Sequence, residues 1–245
     1  MSKFHESGDH GIRHDDSPEE LARKLYDDPD YFENNPRGYK NMTFSAKKSQ
    51  WHDAVISDFN KAFPVNGITV LDVGCATGVF MRPFFENGAD IYGIDLSKHA
   101  ANVAAKFMAE RLLPDRKRRV VQGSAHDLSV FDAGQFDLYW SVETMEHVPY
   151  RYHLAMAREM RRVLKRGGVA YLQGQIGFKD YLNPDPNDDS GHIAVFPEGY
   201  WKDLLQHEGF VLAADDVDLR HAEMVLKGTE SWVNYGWRFI SARKP

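Results

Sequence analysis

The feature that most constrains the fold is a regular alternation of apolar, strand-like runs with helical patterns between Ile68 and Gly174. The predicted strands cover 68–73, 90–94, 118–122, 136–142 and 168–174, and the predicted helices between them cover 78–87, 97–112 and 151–165. Strands that alternate with helices at this spacing form a mainly parallel sheet with right-handed crossovers. The sequence therefore predicts an α/β fold, a Rossmann-like doubly wound sheet with helices on both faces.

The flanking segments complete the domain. In the helix predicted over 151–165, one apolar stripe is formed by Leu154, Ala157, Met160 and Leu164. Outside the alternating core we expect a short helix that begins at Ser17, helices over 46–62 and 198–207, and strands over 210–217 and 231–243. No internal repeat or second domain boundary is evident. We expect a disordered tail over 1–17 and a single domain over 18–245, with an N-terminal helical cap over 18–66 and a substrate loop over 176–197.

Composition excludes several classes of partner. The chain has 245 residues with a formal net charge of −6, so it carries no overall electrostatic footprint for nucleic acid or anionic membrane. A single cysteine, Cys75, rules out an internal disulfide. No apolar run approaches the roughly 20 residues of a membrane span, and the polar N-terminus lacks a signal-peptide core. We expect a cytoplasmic protein without a membrane span or nucleic-acid partner, and the oligomeric state stays open.

The stretch "VLDVGCATG" reads as a buried strand that enters a turn before a helix. Such turns bind cofactors in α/β proteins, and a dinucleotide turn requires three glycines so that the backbone can approach the pyrophosphate. Here the three positions are Gly74, Ala76 and Gly78, and an acid, Asp72, precedes them. The turn therefore points away from a dinucleotide, although a purely structural turn remains an alternative at this point.

A second acid follows at the end of the next predicted strand, in "ADIYGIDLS". Asp95 lies 23 residues after Asp72, where a carboxylate in such units accepts hydrogen bonds from both hydroxyls of a ribose. The alternative is that Asp95 caps the next helix, but Ser97 fills that role better. We therefore favour ribose binding.

Four stretches in unbroken order resemble the class I S-adenosylmethionine-dependent methyltransferases: "VLDVGCATG", "IYGIDLS", "VVQGSAHDLSVFDAGQFDLYWSVETMEHV" and "EMRRVLKRGGVAYLQ". The resemblance covers residues 68–175. It implies a seven-stranded sheet whose last strand is antiparallel. It also implies S-adenosylmethionine as cofactor and S-adenosylhomocysteine as product.

The resemblance also implies a set of cofactor-binding residues. Where the family commonly has Gly-Asp-Ala, this chain has Gly123-Ser124-Ala125, so adenine recognition is expected to depend on backbone groups and packing, with Asp127 as an alternative acceptor. The implied set comprises Asp72, Gly74, Cys75, Ala76 and Gly78 under the methionine part, Asp95 at the ribose, Leu96, Ser124 and Ala125 at the adenine, Ser141 and Val142 in the methionine pocket, and Tyr39 in the N-terminal segment.

Candidate catalytic groups follow the fourth predicted strand and recur in the later loop. A hydroxyl acceptor must lose its proton, and a histidine with a near-neutral pKa suits that task. We name His147, His192 and Glu143 as catalytic candidates, although His147 and Glu146 also suit a purely architectural role. Tyr39, Trp51 and Trp140 could shield the sulfonium, although such aromatics more often belong to the core.

Two segments bear on the acceptor. "YFENNPRGYKNM" resembles the entry segment of bacterial saccharide methyltransferases, where Tyr39 would lie near the cofactor. The loop that holds Asp185, Asp188, Asp189 and His192 could bind a divalent metal beside a diol, but Pro and Asn in the same loop favour a solvated turn, so we predict no metal ligands.

The sequence thus predicts an O-methyltransferase that acts on a small polar acceptor, with a sugar in carbohydrate biosynthesis as the leading expectation. The alternatives are a phenol- or quinone-type O-methyltransferase and a non-catalytic cofactor-binding module of the same fold. A nucleic-acid methyltransferase is disfavoured by the acidic balance and by the lack of an Asn-Pro-Pro-Tyr-like segment after the fourth strand.

Overall fold

The computed structural model describes residues 17, 20, 26–27, 46–112, 119–175, 192, 194–213 and 237–245. Seven strands belong to one sheet: β1 (Thr69–Val73), β2 (Asp90–Asp95), β3 (Val120–Gln122), β4 (Phe136–Val142), β5 (Leu164–Gln175), β6 (Val211–Leu212) and β7 (Trp237–Arg243). Their order is β3-β2-β1-β4-β5-β7-β6. β1 to β5 pair in parallel, and β7 is antiparallel to both β5 and β6. The predicted seven-stranded, mainly parallel sheet with an antiparallel last strand is confirmed.

In the described residues the helices that cover the sheet are α1 (Ala46–Ala62), α2 (Met81–Glu86), α3 (Lys98–Phe107), α4 (His153–Val163) and α5 (Glu198–His207). From β1 the sheet continues to β2 and β3 on one side and to β4 and β5 on the other, so the strand order reverses at β1. The carboxyl ends of β1 and β4 therefore lie side by side. A crevice at such a reversal is where open α/β sheets bind ligands. The fold therefore places the "VLDVGCATG" turn beside the segment after β4.

The core has two layers because successive strand residues point to opposite faces. Trp140 of β4 stacks on Tyr171 at a centroid distance of 5.2 Å, and Phe59 of α1 packs against both. On the other face, Tyr139 lies in the cluster that α4 and α5 cover with Met160 and Trp201. The prediction of helices on both faces is confirmed.

Some sequence-based details were wrong. Leu154, assigned to the apolar stripe of α4, is 37% exposed, and Leu164 begins β5 instead of ending the helix. Helix α4 instead turns His153, Met156 and Val163 inward together with Ala157 and Met160. Leu154 follows the inward-facing His153 by one residue, about 100° around the helix, so it leaves the buried face, and Leu164 lies beyond the end of the helix.

Helix 97–112 also differs from its prediction, since α3 ends at Phe107 and a π-helix covers Met108–Leu112. At the N-terminus, Ser17 and Glu20 form the expected helix start. Ser17 Oγ accepts from Glu20 N at 3.1 Å, and Glu20 Oε2 accepts from Ser17 N at 2.7 Å. This reciprocal pair is a capping box.

Candidate active site

The turn after β1 is bound to the end of β2. The N–H groups of Gly74 and Cys75 both donate to the Ile94 carbonyl, at 2.8 and 3.1 Å. Gly74 has φ +75°, and a Cβ there would lie 2.1 Å from Thr144 Oγ1. Glycine is therefore required twice at this position, by the backbone conformation and by the close approach of the segment after β4.

The last glycine of the turn, Gly78, lies close to a helix. Gly78 has φ +86°, and a Cβ there would lie 3.3 Å from the Cβ of Ala104 in α3. The small residue thus lets a helix pack tightly beside the turn. Between the two glycines, Ala76 also has positive φ, +46°, which a residue with a Cβ seldom adopts.

Asp95 holds this strained turn in place. Its Oδ2 accepts from Ala76 N at 2.7 Å and its Oδ1 accepts from Ser97 N at 2.8 Å. Burial raises the pKa of the Asp95 carboxyl to about 6, against the opposing effect of the two backbone N–H groups. Ser97 caps α3 as predicted, with Oγ accepting from Ala100 N at 3.1 Å. Asp95 therefore joins the turn after β1 to the start of α3.

A cavity of about 450 Å³ opens beside Asp95, at the carboxyl ends of β2 and β3. Its size is within the range of small-molecule sites. The predicted adenine neighbours Leu96 and Ser124 and the alternative acceptor Asp127 are part of its wall, which is lined by Asp27, Ile94, Leu96, Gln122, Gly123, Ser124, His126, Asp127, Ser129 and Val130. Within that wall, the Ser124 hydroxyl is hydrogen-bonded to His126 Nδ1 at 2.6 Å.

Several of the named side chains are engaged in packing. Cys75 is buried, and its Sγ packs against Gly93 of β2, where an added Cβ would lie 2.9 Å away. Its side chain is therefore part of the packing between strand and turn. Ala125 lies in the hydrophobic core, and the Ser141 hydroxyl donates to the Val73 carbonyl at 3.1 Å. Trp140 is fully buried in the core and is not a shield for a cofactor.

Asp72 is the buried acid of β1. It is 2% exposed, and its Oδ2 has no hydrogen-bond partner among the described residues. Burial, followed by the charge of Asp95, raises the pKa of the Asp72 carboxyl well above its usual value. A buried acceptor of this kind suits a donor such as an ammonium group, because an unpaired buried oxygen is energetically costly.

The segment after β4 starts with a second strained residue. Glu143 has φ +54°, and Glu143 and Ala76 are the two non-glycine residues with positive φ in the described parts of the chain. Thr144 follows, and its hydroxyl lies 3.2 Å from the carbonyl oxygens of Val73 and Val142. Strained backbone concentrates at functional sites. Here one strained residue lies in the turn after β1 and the other lies in the segment after the neighbouring strand β4. Val142, at the end of β4, is 9% exposed.

Beyond Thr144, two adjacent residues meet a third that lies more than 40 residues later in the sequence. Glu146, His147 and His192 each offer a nitrogen or oxygen atom, and these atoms lie within 4.8 Å of one another. The two imidazole rings meet edge to face at a centroid distance of 4.7 Å. Glu146 is completely buried, and burial raises its carboxyl pKa to about 8. We call this group the Glu146–His147–His192 cluster.

Three residues that the sequence analysis did not name support the cluster. Tyr26 Oη is hydrogen-bonded to His147 Nδ1 at 3.0 Å, and Gln175 Oε1 is hydrogen-bonded to His192 Nδ1. Below them, His153 Nε2 donates to the Val148 carbonyl at 2.7 Å, and burial lowers the pKa of His153 to about 4. The contacts of Tyr26 and Gln175 join segments that are distant in the sequence and belong to no motif, so the sequence carried no signal for them.

Other named residues lie outside the described parts of the chain. They are Tyr39, Asp185, Asp188 and Asp189. The division into tail, cap and substrate loop also stays a prediction, since most of those segments lie outside the described residues. Among the described residues, no helix is long and apolar enough to cross a membrane.

Comparison with known proteins agrees with this geometry. A family model described as "Methyltransferase domain" matches residues 71–172, from β1 to β5. The strand order is that of the methyltransferase fold. Residues 71–172 form a methyltransferase domain of the class I fold. The recognition made from the four motifs is therefore confirmed.

The curated relatives of this methyltransferase domain include ubiquinone biosynthesis O-methyltransferases. The one from Vibrio parahaemolyticus is 32% identical over 156 residues, which cover 63% of this chain and 62% of the relative. The one from Acinetobacter baylyi is 35% identical over 106 residues, which cover 43% of each chain. The matched part thus spans about two fifths to three fifths of the relatives' lengths.

Solved structures share the fold of the methyltransferase domain at lower identity. The cyclase SpnF matches with a TM-score of 0.57 and 19% identity over 80% of this chain and 81% of that one. Geranyl diphosphate C-methyltransferase from Streptomyces coelicolor matches with a TM-score of 0.56 and 17% identity over 81% and 79%. At these identities the likeness shows the fold alone, and the fold hosts more than one reaction.

Proposed function

We propose that the protein transfers a methyl group from S-adenosylmethionine to a hydroxyl of a small acceptor. The observation that carries the proposal is the position of Asp95: its carboxylate accepts from Ala76 of the strained turn, and its chain neighbours Ile94 and Leu96 line the 450 Å³ cavity. A nucleoside in that cavity would present its ribose hydroxyls to Asp95. The domain family uses this cofactor, and the residues present fit it.

We infer the remaining cofactor contacts from the sequence motifs together with this geometry. Leu96 would pack on the adenine, and Ser124 and Ala125 would border it through their backbone groups. The methionine part would lie over the turn formed by Asp72, Gly74, Cys75, Ala76 and Gly78, with Ser141, Val142 and Tyr39 completing its surroundings. The buried Asp72 oxygen that lacks a hydrogen-bond partner among the described residues supports a position for the ammonium group nearby, since an ammonium group would donate to it.

The acceptor is proposed to be a phenol of the quinone-precursor type. The curated relatives described above are named ubiquinone biosynthesis O-methyltransferases, and neither name mentions a saccharide. The sugar acceptor that the sequence analysis put first therefore lacks support, and its alternative takes its place. The Glu146–His147–His192 cluster, which follows β4, is the proposed place for the acceptor hydroxyl.

The chain's own contribution is alignment and proton removal. The cofactor supplies a methyl group that its sulfonium already activates, so the protein needs to hold the acceptor oxygen in line and exclude water. Overall, acceptor hydroxyl and S-adenosylmethionine give methyl ether, S-adenosylhomocysteine and a proton. His147 and His192 would assist loss of that proton, and Glu143, whose charge acts on Glu146 of the cluster, would help to place the acceptor.

The test is a methyl-transfer assay with labelled S-adenosylmethionine and three matched acceptors: a catechol, a monophenol and a sugar. We expect labelled product with the phenols, and a loss of at least tenfold in turnover for His147→Ala and His192→Ala with unchanged cofactor affinity. Methylation of the sugar alone would refute the acceptor class. A protein that binds S-adenosylhomocysteine but methylates nothing would instead support the non-catalytic alternative.

A further inference from the structure

The Glu146–His147–His192 cluster is assembled by tertiary structure. Glu146 and His147 lie on a single 3₁₀ turn, Met145–His147, whereas His192 comes 45 residues after His147. The later segment is fastened to the turn by a backbone hydrogen bond from Ala194 N to Glu146 O at 2.9 Å. One carboxylate and two imidazoles are thus brought together by the fold and not by sequence proximity.

Gln175 orients two members of the cluster at once. Its backbone N–H donates to Glu146 Oε1 at 3.2 Å, and its side-chain Oε1 is hydrogen-bonded to His192 Nδ1. Because an amide oxygen only accepts, Nδ1 of His192 carries the proton and Nε2 carries the lone pair. This arrangement is the usual one for a metal-binding histidine, whose other ring nitrogen donates to a fixed oxygen.

His147 is held in a comparable way from the opposite side. Its Nδ1 is hydrogen-bonded to Tyr26 Oη at 3.0 Å, and Tyr26 is itself anchored, since its carbonyl accepts from Ser97 Oγ at 2.6 Å. With Nδ1 engaged in both rings, Nε2 is the atom of each ring that suits coordination. Both imidazoles are therefore oriented by an oxygen partner before any ligand binds.

Glu146 supplies an independent indication of a ligand. It is 0% exposed, and its Oε2 is a buried atom without a hydrogen-bond partner in the described parts of the chain. Neither does any described lysine or arginine lie within ion-pair distance of this carboxylate. Burial of a carboxylate is costly unless it is paired or binds a metal ion.

We propose that Glu146, His147 and His192 bind a divalent transition-metal ion of the Zn²⁺ type. Two imidazole nitrogens and one carboxylate oxygen are a ligand set of catalytic zinc sites, which keep a further position open. Ligand atoms around a tetrahedral zinc ion lie about 3.4 Å apart, so the cluster needs to close by about 1.4 Å at most. Rotation of the partly buried imidazoles could achieve this.

The open position gives the ion its use, a step that rests on the proposed function. An acceptor hydroxyl oxygen bound there would have a lower pKa, so its proton would pass to solvent water near neutral pH. In this arrangement His147 and His192 act as ligands and need not take up the proton themselves. A catechol would suit the site particularly well, since its second oxygen could also approach the ion.

The site is tested by titration of the purified, metal-free full chain with Co²⁺, followed by visible absorption and without cofactor or acceptor. All samples carry His5→Ala, His10→Ala and His14→Ala, because these histidines of the polar N-terminus could bind the ion by themselves. We expect one equivalent of Co²⁺, displaced by Zn²⁺ and not by Mg²⁺. Absence of binding, or displacement by Mg²⁺ with equal ease, would overturn the proposal.

Variants locate the bound ion. Glu146→Gln and His192→Ala should each weaken Co²⁺ binding at least 100-fold, and Gln175→Ala should weaken it about 10- to 100-fold through loss of ring orientation. His207→Ala, which removes a 70% exposed histidine outside the cluster, is the matched control and should change nothing. Unchanged affinity in both ligand variants would refute the site, and His192→Ala decides if Glu146→Gln does not fold.

The proposal and the proposed function can fail separately. Binding of S-adenosylhomocysteine by the same variants shows whether the cofactor region is intact. Undiminished methylation of a catechol by protein kept metal-free with a chelator would refute the metal site and leave the function standing. Stoichiometric Co²⁺ binding without methylation of any acceptor would do the reverse.

Discussion

Substitution of Gly74 by alanine tests how the turn after β1 is held against the segment after β4. The added Cβ would lie 2.1 Å from Oγ1, 2.6 Å from Cγ2 and 2.9 Å from Cβ of Thr144, and the backbone has φ +75°. A left-handed conformation costs a residue with a Cβ about 1–2 kcal/mol. Overpacking adds about 1–3 kcal/mol. We therefore expect Gly74→Ala to lower the free energy of unfolding by about 3 kcal/mol.

Gly67→Ala is the matched control. Gly67 has a similar φ of +79°, but nothing lies within 4 Å of its added Cβ. It should therefore show the backbone cost alone, about 1–2 kcal/mol. Both substitutions restrict the unfolded chain equally, so that contribution cancels in the comparison. Urea unfolding curves with equal slopes give the two free energies directly.

A double-substitution cycle isolates the contact. Thr144→Ala removes the two nearest atoms, Oγ1 and Cγ2, so Gly74→Ala should cost at least about 1 kcal/mol less in that background. Equal destabilisation by Gly74→Ala and Gly67→Ala, or independent effects of Gly74→Ala and Thr144→Ala, would refute the argument that glycine is required here by the approach of Thr144.

Three further predictions concern titration and positioning. Affinity for S-adenosylhomocysteine should fall as the pH drops below about 6, because burial raises the Asp95 pKa and the neutral acid accepts less well from ribose; calorimetry should show a flat profile in Asp95→Asn. His153, whose pKa burial lowers to about 4, binds a proton more weakly folded than unfolded, so its contribution to stability is lost as the pH falls from 6.5 to 4. The free energy of unfolding should therefore drop by up to about 3 kcal/mol more in the wild type than in His153→Gln. Tyr200→Phe, which removes the hydroxyl bonded to His153 Nδ1 at 2.8 Å but leaves the imidazole in place, should keep the wild-type slope. Tyr26→Phe should slow methyl transfer about two- to tenfold and shift its pH profile without weakening cofactor binding, since it removes the hydroxyl that is bonded to His147; an unchanged profile would exclude a positioning role.

The sequence predicted the fold well because its signals are local. Hydrophobic runs located β1, β2 and β4 to within a residue or two, and the predicted bounds of α1 and α5 matched. The stripe predicted for α4 was right at Ala157 and Met160 and wrong at Leu154, which lies one residue from the buried face, and at Leu164, which belongs to β5. Periodicity alone does not show where a helix ends.

The site could be predicted only where one short stretch carries it. Gly74, Gly78 and Asp95 have roles that a motif encodes, because each acts on backbone a few residues away or on the next strand. The Glu146–His147–His192 cluster depends on a contact 45 residues further along, and Gln175 and Tyr26 join it from two other segments. Such contacts exist only after the sheet has formed.

The acceptor was the least predictable feature. The N-terminal and loop patterns favoured a sugar, yet the relatives named above carry the name of ubiquinone biosynthesis. The sequences of surface segments are not constrained by core packing and vary with the acceptor, so short patterns within them are weak guides to chemistry.

The most direct test of the central claim is calorimetric titration of the wild-type chain with S-adenosylhomocysteine. The account predicts one bound molecule per chain, and an affinity about 100-fold lower in Asp95→Ala, since two hydrogen bonds to a charged group are lost. Asp132→Ala, which removes an exposed acid away from the turn, should bind like the wild type. No binding by the wild type, or equal binding by Asp95→Ala, would contradict the account.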